Sequence, residues 1–332
     1  MQVLVTGGTG FVGAHLVRSL LARGADVRCL VRSTSRLDNL SGLPVQLVVG
    51  DLSDIESLRK ALHGCSHAYH CAADYRLWCT DPADMYKSNV EGTSNFLRAA
   101  FEADVERVVY TSTVGCLGLT NDGTPANETV STSVDEMLGD YKRTKFLAEQ
   151  EVLAWARRGL PVVIVSPSTP VGELDIKPTP TGKIIVDFLR GKMFGYVDTG
   201  MNLVDVRDVA EGHLLAAEKG RIGERYILGG RNITLKELFD LLSGLTGIRS
   251  PKTRIPHWVA EGYAHIENAW SVKIAHHPPF APIESVKLSR NKMWFDGSKA
   301  VRELGLPQSP VETALEHAIT WFQKNGYVNR RG

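Results

Sequence analysis

Short β-branched runs alternate with helical patterns through the first half of this chain, and that alternation narrows its folding choices most. "MQVLVTG" is short and β-branched, and "FVGAHLVRSLLARG" spaces its apolar residues as a helix does and ends on Gly24. "DVRCLVR", "HAYHCAA", "RVVYTST" and "PVVIVSP" read as further strands. "DIESLRKALHG", "SNVEGTSNFLRAAFEA" and "YKRTKFLAEQEVLAWARRG" read as helices. Strands and helices repeated at this spacing require right-handed crossovers, hence a parallel sheet covered on both faces.

After Pro167 the pattern changes. "PSTPVGELDIKPTPTGK" is rich in Pro, Thr and Gly and is expected to be a long loop. A helix near Ile184–Arg190 is expected next, then a strand–helix unit "LVDVRDVAEGHLLAAEKG" and a strand "RYILGG". A capped helix "TLKELFDLLSGLTG" and a final helix near Val311–Asn325 complete the pattern. Residues 1–166 are expected to form one domain and residues 167–332 a smaller lobe, with a segment near 203–218 returning to the first. The mixed stretch from Pro251 to Pro282 follows no assignable pattern.

The glycines of "VTGGTGFVG" stand between the first strand and the first helix. They read as Gly7-x-x-Gly10-x-x-Gly13 and also fit Gly8-x-Gly10-x-x-Gly13. Glycine there permits a tight turn and lets backbone N–H groups approach a pyrophosphate at the helix N-terminus. The expected fold is therefore α/β, a doubly wound parallel-sheet Rossmann domain with a smaller C-terminal substrate-binding lobe. An NAD site usually carries a carboxylate about 20 residues further on. This chain has Arg32 in "CLVRSTSR", with Ser33 and Arg36 near it. A guanidinium suits a 2′-phosphate, so NADP(H) is favoured and NAD(H) remains possible. Asp51 in "VVGDLSD" either accepts from the adenine amino group or caps the helix that begins near Asp54; Leu52 would pack on the ring.

In "GDYKRTKFLAEQ", Tyr141 precedes Lys145 by one helical turn, so the two share a face, which Ala148, Val152 and Trp155 continue inward. An ammonium beside a phenol favours the phenolate, so the pair suits proton transfer near neutral pH. Thr113, or Ser112 beside it, would present a hydroxyl to the substrate oxygen at the C-terminal edge of the sheet.

"TGGTGFVG", "GDLSD", "HCAA", "NVEGT", "YTST" and "YKRTK" together resemble an extended short-chain dehydrogenase/reductase over essentially the whole chain. The resemblance implies a catalytic set of Thr113, Tyr141 and Lys145. It also implies that Gly7, Thr9, Gly10, Phe11, Val12, Gly13, Ala72, Ala73, Thr111, Pro167, Ser168 and Thr169 line the dinucleotide. "AADYRLW", "DIKPTPTGKIIVDFLRGKM", "YVDTGMNLVDVRDVAEGHLLA", "GERYILGG" and "KAVRELG" resemble more narrowly the hopanoid-associated sugar epimerase group, near the dihydroflavonol 4-reductase branch. Where many relatives have a histidine in the late strand, this chain has Asp205, followed by Arg207.

Asp74, Tyr75, Trp78, Pro170, Lys177 and Thr181 are the expected substrate-facing residues, joined by Ser112 and, on the same long loop, Thr179 and Lys183. The substrate is a sugar, a nucleotide sugar or a ketone. Two activities fit: an epimerase that keeps its cofactor bound, or an NADPH-dependent carbonyl reductase that exchanges it. A non-catalytic dinucleotide sensor is a third reading, but such relatives typically lose the tyrosine that this chain keeps. A homodimer through "NVEGTSNFLRAAFEA" and "YKRTKFLAEQEVLAWARRG" is implied by resemblance.

Composition narrows the partners. The chain of 332 residues is 43% hydrophobic and 23% charged, with net charge +1 and no basic patch, which argues against a nucleic-acid footprint. No apolar run approaches the roughly 20 residues of a spanning helix. Five cysteines without a CxxC pair, and no signal peptide at the start, point to reduced thiols and a cytoplasmic location. Cys65, His67, His70 and Cys71 are spaced along a strand and do not converge as ligands, so no metal is expected. The pair His276–His277 reads as a solvated loop, and His257–Ile274 as a lid, a lipid-contacting patch or core, with core or lid preferred.

Overall fold

The computed structural model describes residues 1–76, 81–120, 122–273 and 283–328. Its strands are β1 Gln2–Thr6, β2 Asp26–Val31, β3 Gln46–Val49, β4 His67–His70, β5 Arg107–Thr111, β6 Val162–Pro167, β7 Thr169–Val171, β8 Gly195–Tyr196, β9 Gly200–Asp205, β10 Arg225–Leu228, β11 Arg231–Thr234, β12 Thr253–Arg254 and β13 Lys292–Met293. The α-helices are α1 Phe11–Ala22, α2 Ile55–Leu62, α3 Pro82–Tyr86, α4 Gly92–Glu102, α5 Asp140–Arg157, α6 Pro180–Leu189, α7 Val206–Lys219, α8 Leu235–Thr246, α9 His257–Lys273, α10 Ile283–Leu288, α11 Ser298–Leu304 and α12 Val311–Lys324. A π-turn over Lys87–Glu91 joins α3 to α4.

Seven parallel strands run in the order β3-β2-β1-β4-β5-β6-β10. Their side chains alternate between two cores. Val3, Val5, Val27, Cys29, Val31, Val109, Val163 and Val165 pack on one face, with α1, α7 and α11. Leu4, Ala68, Val108, Tyr110, Val162 and Ile164 pack on the other, with α2, α4 and α5. Fully burying each large apolar side chain contributes about 1.5–3 kcal/mol, so the two faces together outweigh the preference of any single segment. Among the described residues no helix is long and apolar enough to cross a membrane.

The order in which strands are added reverses between β1 and β4, and the crevice beyond their C-terminal ends is where a doubly wound sheet takes its ligand. A second sheet, β11-β9-β13 with β7 on β9, faces a third core of α6, α8 and α12. The capping box of Thr234 and Glu237 starts α8, and Gly247 at φ +72° ends it.

Two expectations change. The stretch from Pro167 to Lys183 is not one long loop: it contains β7, and α6 starts at Pro180 with the Thr179 hydroxyl accepting from Gly182 N–H. Thr then Pro is a helix start as well as a loop signature, because proline at the first helical position loses no hydrogen bond. In the His257–Ile274 stretch, the described residues form α9, and Trp258, Ile266 and Trp270 are exposed, so its aromatic residues are not core. Trp78, His276 and His277 lie outside the described residues.

Candidate active site

The turn after β1 cannot carry side chains. Gly7 sits at φ +73°, and a Cβ on it would lie 2.6 Å from the Ala72 backbone nitrogen beyond β4. A Cβ on Gly13 would collide with the Gly7 carbonyl, and Gly10 N–H donates to that carbonyl at 2.9 Å. Gly10 leaves α1 without a side-chain cap, and no acidic residue stands in its first turn. The free N–H groups around Phe11 and Val12, with the helix dipole, make this end a receptor for an anion.

Arg32 follows β2, is exposed, and its guanidinium makes no ion pair with a described residue, whereas Arg36 is paired with Asp38 at 3.0 Å. Asp51 accepts from the N–H and hydroxyl of Ser53, while Asp54 caps α2, so capping is not the task of Asp51. Burial pushes the Asp51 carboxyl up, but Ser53, Arg32 and Lys87 outweigh it and hold the carboxyl below its ordinary range. Leu52 packs against Gly92 at the start of α4.

Tyr141 lies in the first turn of α5 and is half-buried; Lys145, one turn on, is 3% exposed. The Lys145 ammonium donates to Tyr110 Oη at 2.8 Å and to the Thr111 carbonyl at 2.7 Å. Burial brings the pKa of Lys145 down to about 8 against the pull of Cys116 and Cys71. Tyr141 does not follow the expectation of a depressed pKa. Burial, then Cys116, pushes its phenol up, and a hydrogen bond with the Thr113 side chain only partly offsets them. The ammonium is turned to the end of β5, so desolvation governs the phenol, which stays protonated at neutral pH.

Residues 3–229 match the NAD-dependent epimerase/dehydratase family. The chain belongs to that family. It is 50% identical, over 98% of its length and 95% of the relative's, to a Synechocystis sp. protein named "Putative dihydroflavonol 4-reductase". It is similar to the crystal structure of gox2253, at 47% identity, with a TM-score of 0.88, over 98% of this chain and 99% of that one. It is also similar to PA4631, a nucleoside-diphosphate-sugar epimerase from Pseudomonas aeruginosa, at 28% identity, with a TM-score of 0.83, over 99% of each chain. The protein is thus an extended short-chain dehydrogenase/reductase enzyme of the epimerase–reductase type.

The residues present fit the dinucleotide that the family implies. The glycine turn is a cradle that a Cβ would fill, and the buried Ser168 hydroxyl past β6 has no hydrogen-bond partner among the described residues. Pro167 is buried beside it, and Thr169 and Pro170 continue into β7. Ala72 and Ala73 follow β4, facing the glycine turn through Ala72.

Several supports were not singled out in the sequence. Asn39 is buried and donates to the Thr9 carbonyl of the glycine turn and to the Leu174 carbonyl, both at 3.2 Å. Asn89, in the π-turn, accepts from Asp74 N–H at 2.7 Å and donates to the Asp74 carbonyl at 2.9 Å and to Thr144 on α5 at 3.1 Å. The family-like "NVEGT" contained this signal, and π-turns often mark functional sites. His70 is held between Thr6 and Thr93 and stacked on Phe96, and burial followed by Lys145 brings its pKa down to about 3, so it is neutral. His213 on α7 is fully buried, and its Nδ1–H must donate to the Val209 carbonyl at 2.7 Å. Its Nε2 then accepts from the Thr111 hydroxyl at 2.8 Å.

Other expected residues are placed differently. Ser112 is buried and its hydroxyl donates to Glu149, which also pairs with Arg225; this answers for Ser112 without a substrate. Asp74 pairs with Arg76 at 2.5 Å, and Tyr75 is exposed yet close enough to influence Tyr141. Lys177 is exposed, and Thr181 is buried in α6. Asp205 caps α7 and pairs with Arg207 at 2.7 Å, a structural task for this residue.

Asp175 accepts from the Thr179 N–H and hydroxyl ahead of α6. Burial pushes its carboxyl up to about 6 against both bonds. A folded-state pKa above the unfolded one, about 3.9, gives stability that is full below that value and lost as pH rises through about 6. Thermal unfolding between pH 4 and 7.5 should therefore lower the wild-type Tm relative to Asp175→Asn, by about 2 °C for each kcal/mol in a chain of this size. A constant difference across that range would contradict the assignment.

Proposed function

We propose that this enzyme reduces a ketone to a secondary alcohol with NADPH. The observation that carries the reading is the placement of Tyr141 in the first turn of α5, beside Thr113 and one turn from the buried Lys145, where burial pushes its phenol up. A bound dinucleotide would supply the hydride. Tyr141 then gives its proton to the substrate oxygen as that oxygen gains negative charge. Thr113, whose Oγ1 accepts from Gly115 N–H at 3.1 Å, keeps its own proton to orient the same oxygen. Lys145, anchored to β5, offers a donor to the nicotinamide ribose. Glycines 7, 10 and 13 admit the pyrophosphate, Ser168 meets the nicotinamide side, and Asp51 and Leu52 meet the adenine. Asp74, Tyr75, Pro170, Lys177 and Thr181 remain the proposed substrate side.

Arg32, which makes no ion pair with a described residue, supports NADP(H), since the 2′-phosphate gives that exposed guanidinium a bidentate partner. The relative named a reductase supports the direction of the reaction. The epimerase reading is the second, supported by the similarity to a nucleoside-diphosphate-sugar epimerase. We also propose a homodimer through α4 and α5, supported by the half-exposed Phe101 packed at 5.5 Å on Trp155.

Arg32→Ala should lower the preference for NADPH over NADH by about 10–100-fold, the loss of one charge-assisted contact, with NADH kinetics nearly unchanged. Equal losses with both cofactors would contradict it. Denatured wild-type protein should release much less than one nucleotide per chain; release near one per chain would favour the epimerase. Sedimentation equilibrium should report a dimer for the wild type and a monomer for Phe101→Glu, whereas a monomeric wild type would exclude that interface.

A further inference from the structure

Helix α9 is built inside out. At 100° per residue, Trp258, Val259, Tyr263, Ile266 and Trp270 fall within one arc of about 140°. All five are exposed, Trp258 by 75%, Ile266 by 74% and Trp270 by 58%. The opposite arc carries Ala264 and Ser271, which are 0% and 1% exposed. A helix that only serves a core places its large apolar residues the other way, and an exposed apolar patch of this kind marks a contact surface.

A further exposed apolar residue stands at the strands that lead into α9. β8 and β12 pair with Gly195 beside Thr253, which sets Phe194 beside Lys252, and Phe194 is 82% exposed. Lys192, Arg249 and Lys252 are exposed around it and make no ion pair with a described residue. Two nearby acids are paired with cations, Asp198 with Arg254 and Glu261 with Arg290, while Glu267 accepts from the Ser271 hydroxyl. The surface is thus aromatic along the helix and cationic at its N-terminal end.

We propose that this face docks on an anionic lipid surface. Tryptophan and tyrosine rings suit the headgroup boundary, and each nearby Lys or Arg gains from the negative surface potential. A second copy of the chain fits less well, because a two-fold contact sets the same patch against itself and brings the free cations together. The protein would lie on the membrane through this face.

Full-length protein is sedimented with vesicles of phosphatidylcholine alone and of phosphatidylcholine with about one third phosphatidylglycerol. Wild type should pellet with the anionic vesicles and be released as salt rises. The triple variant Trp258→Ser, Ile266→Ser, Trp270→Ser should bind more than tenfold more weakly, with Tm and NADP⁺ affinity retained. Arg249→Glu with Lys252→Glu should abolish the preference for anionic vesicles, and it tests the proposal even if the triple variant misfolds. Failure of wild type to bind anionic vesicles, or vesicle binding that neither variant alters, overturns it. So does a wild-type dimer that the triple variant dissolves.

Discussion

The buried ammonium of Lys145 ties the site together. A cation taken out of water must find fixed acceptors, and Lys145 finds Tyr110 Oη and the Thr111 carbonyl at the end of β5. That choice fixes the rotation of α5 against the sheet and hence where Tyr141 stands. It also explains why the end of β5 is so heavily supported. His213 holds the Thr111 hydroxyl from one face of the sheet, and the stacked His70 and Phe96 fill the other beside Tyr110. Farther along α5, Glu149 takes Ser112 and Arg225, so the helix is pinned at several heights.

The glycine turn imposes the second constraint. Gly7 can approach Ala72 only because it has no side chain, and that approach sets the turn after β1 against the chain beyond β4. Asn39 then carries the turn's position across to Leu174, a non-glycine residue held at φ +68° just ahead of α6. The glycine turn and the segment ahead of α6 are in this way one connected structure, though they are far apart in sequence.

Much of this was legible in the sequence where the cause is local. The strand–helix alternation gave the parallel sheet, and the glycine spacing gave the turn. The one-turn separation of Tyr141 and Lys145 put both on the inner face of α5. What could not be read depends on distant partners. Nothing near Lys145 in the chain announces that it will reach for Tyr110, so its effect on Tyr141 was misjudged. Asn39, Asn89 and His213 owe their roles to carbonyls and hydroxyls on other elements. The start of α6 was missed because Thr-Pro-Thr-Gly serves loops and helix caps alike. The aromatic residues of α9 follow a helical stripe whether that stripe faces core or solvent.

The central claim is that the Tyr141 hydroxyl is the proton donor, held by Thr113 and set beside Lys145. The direct measurement is single-turnover reduction of a ketone substrate by Tyr141→Phe, with dinucleotide affinity measured on the same sample. The account predicts a fall of about 10²–10⁴-fold in the chemical step, the scale of general acid catalysis, with dinucleotide affinity unchanged. A rate within a few-fold of wild type would contradict it.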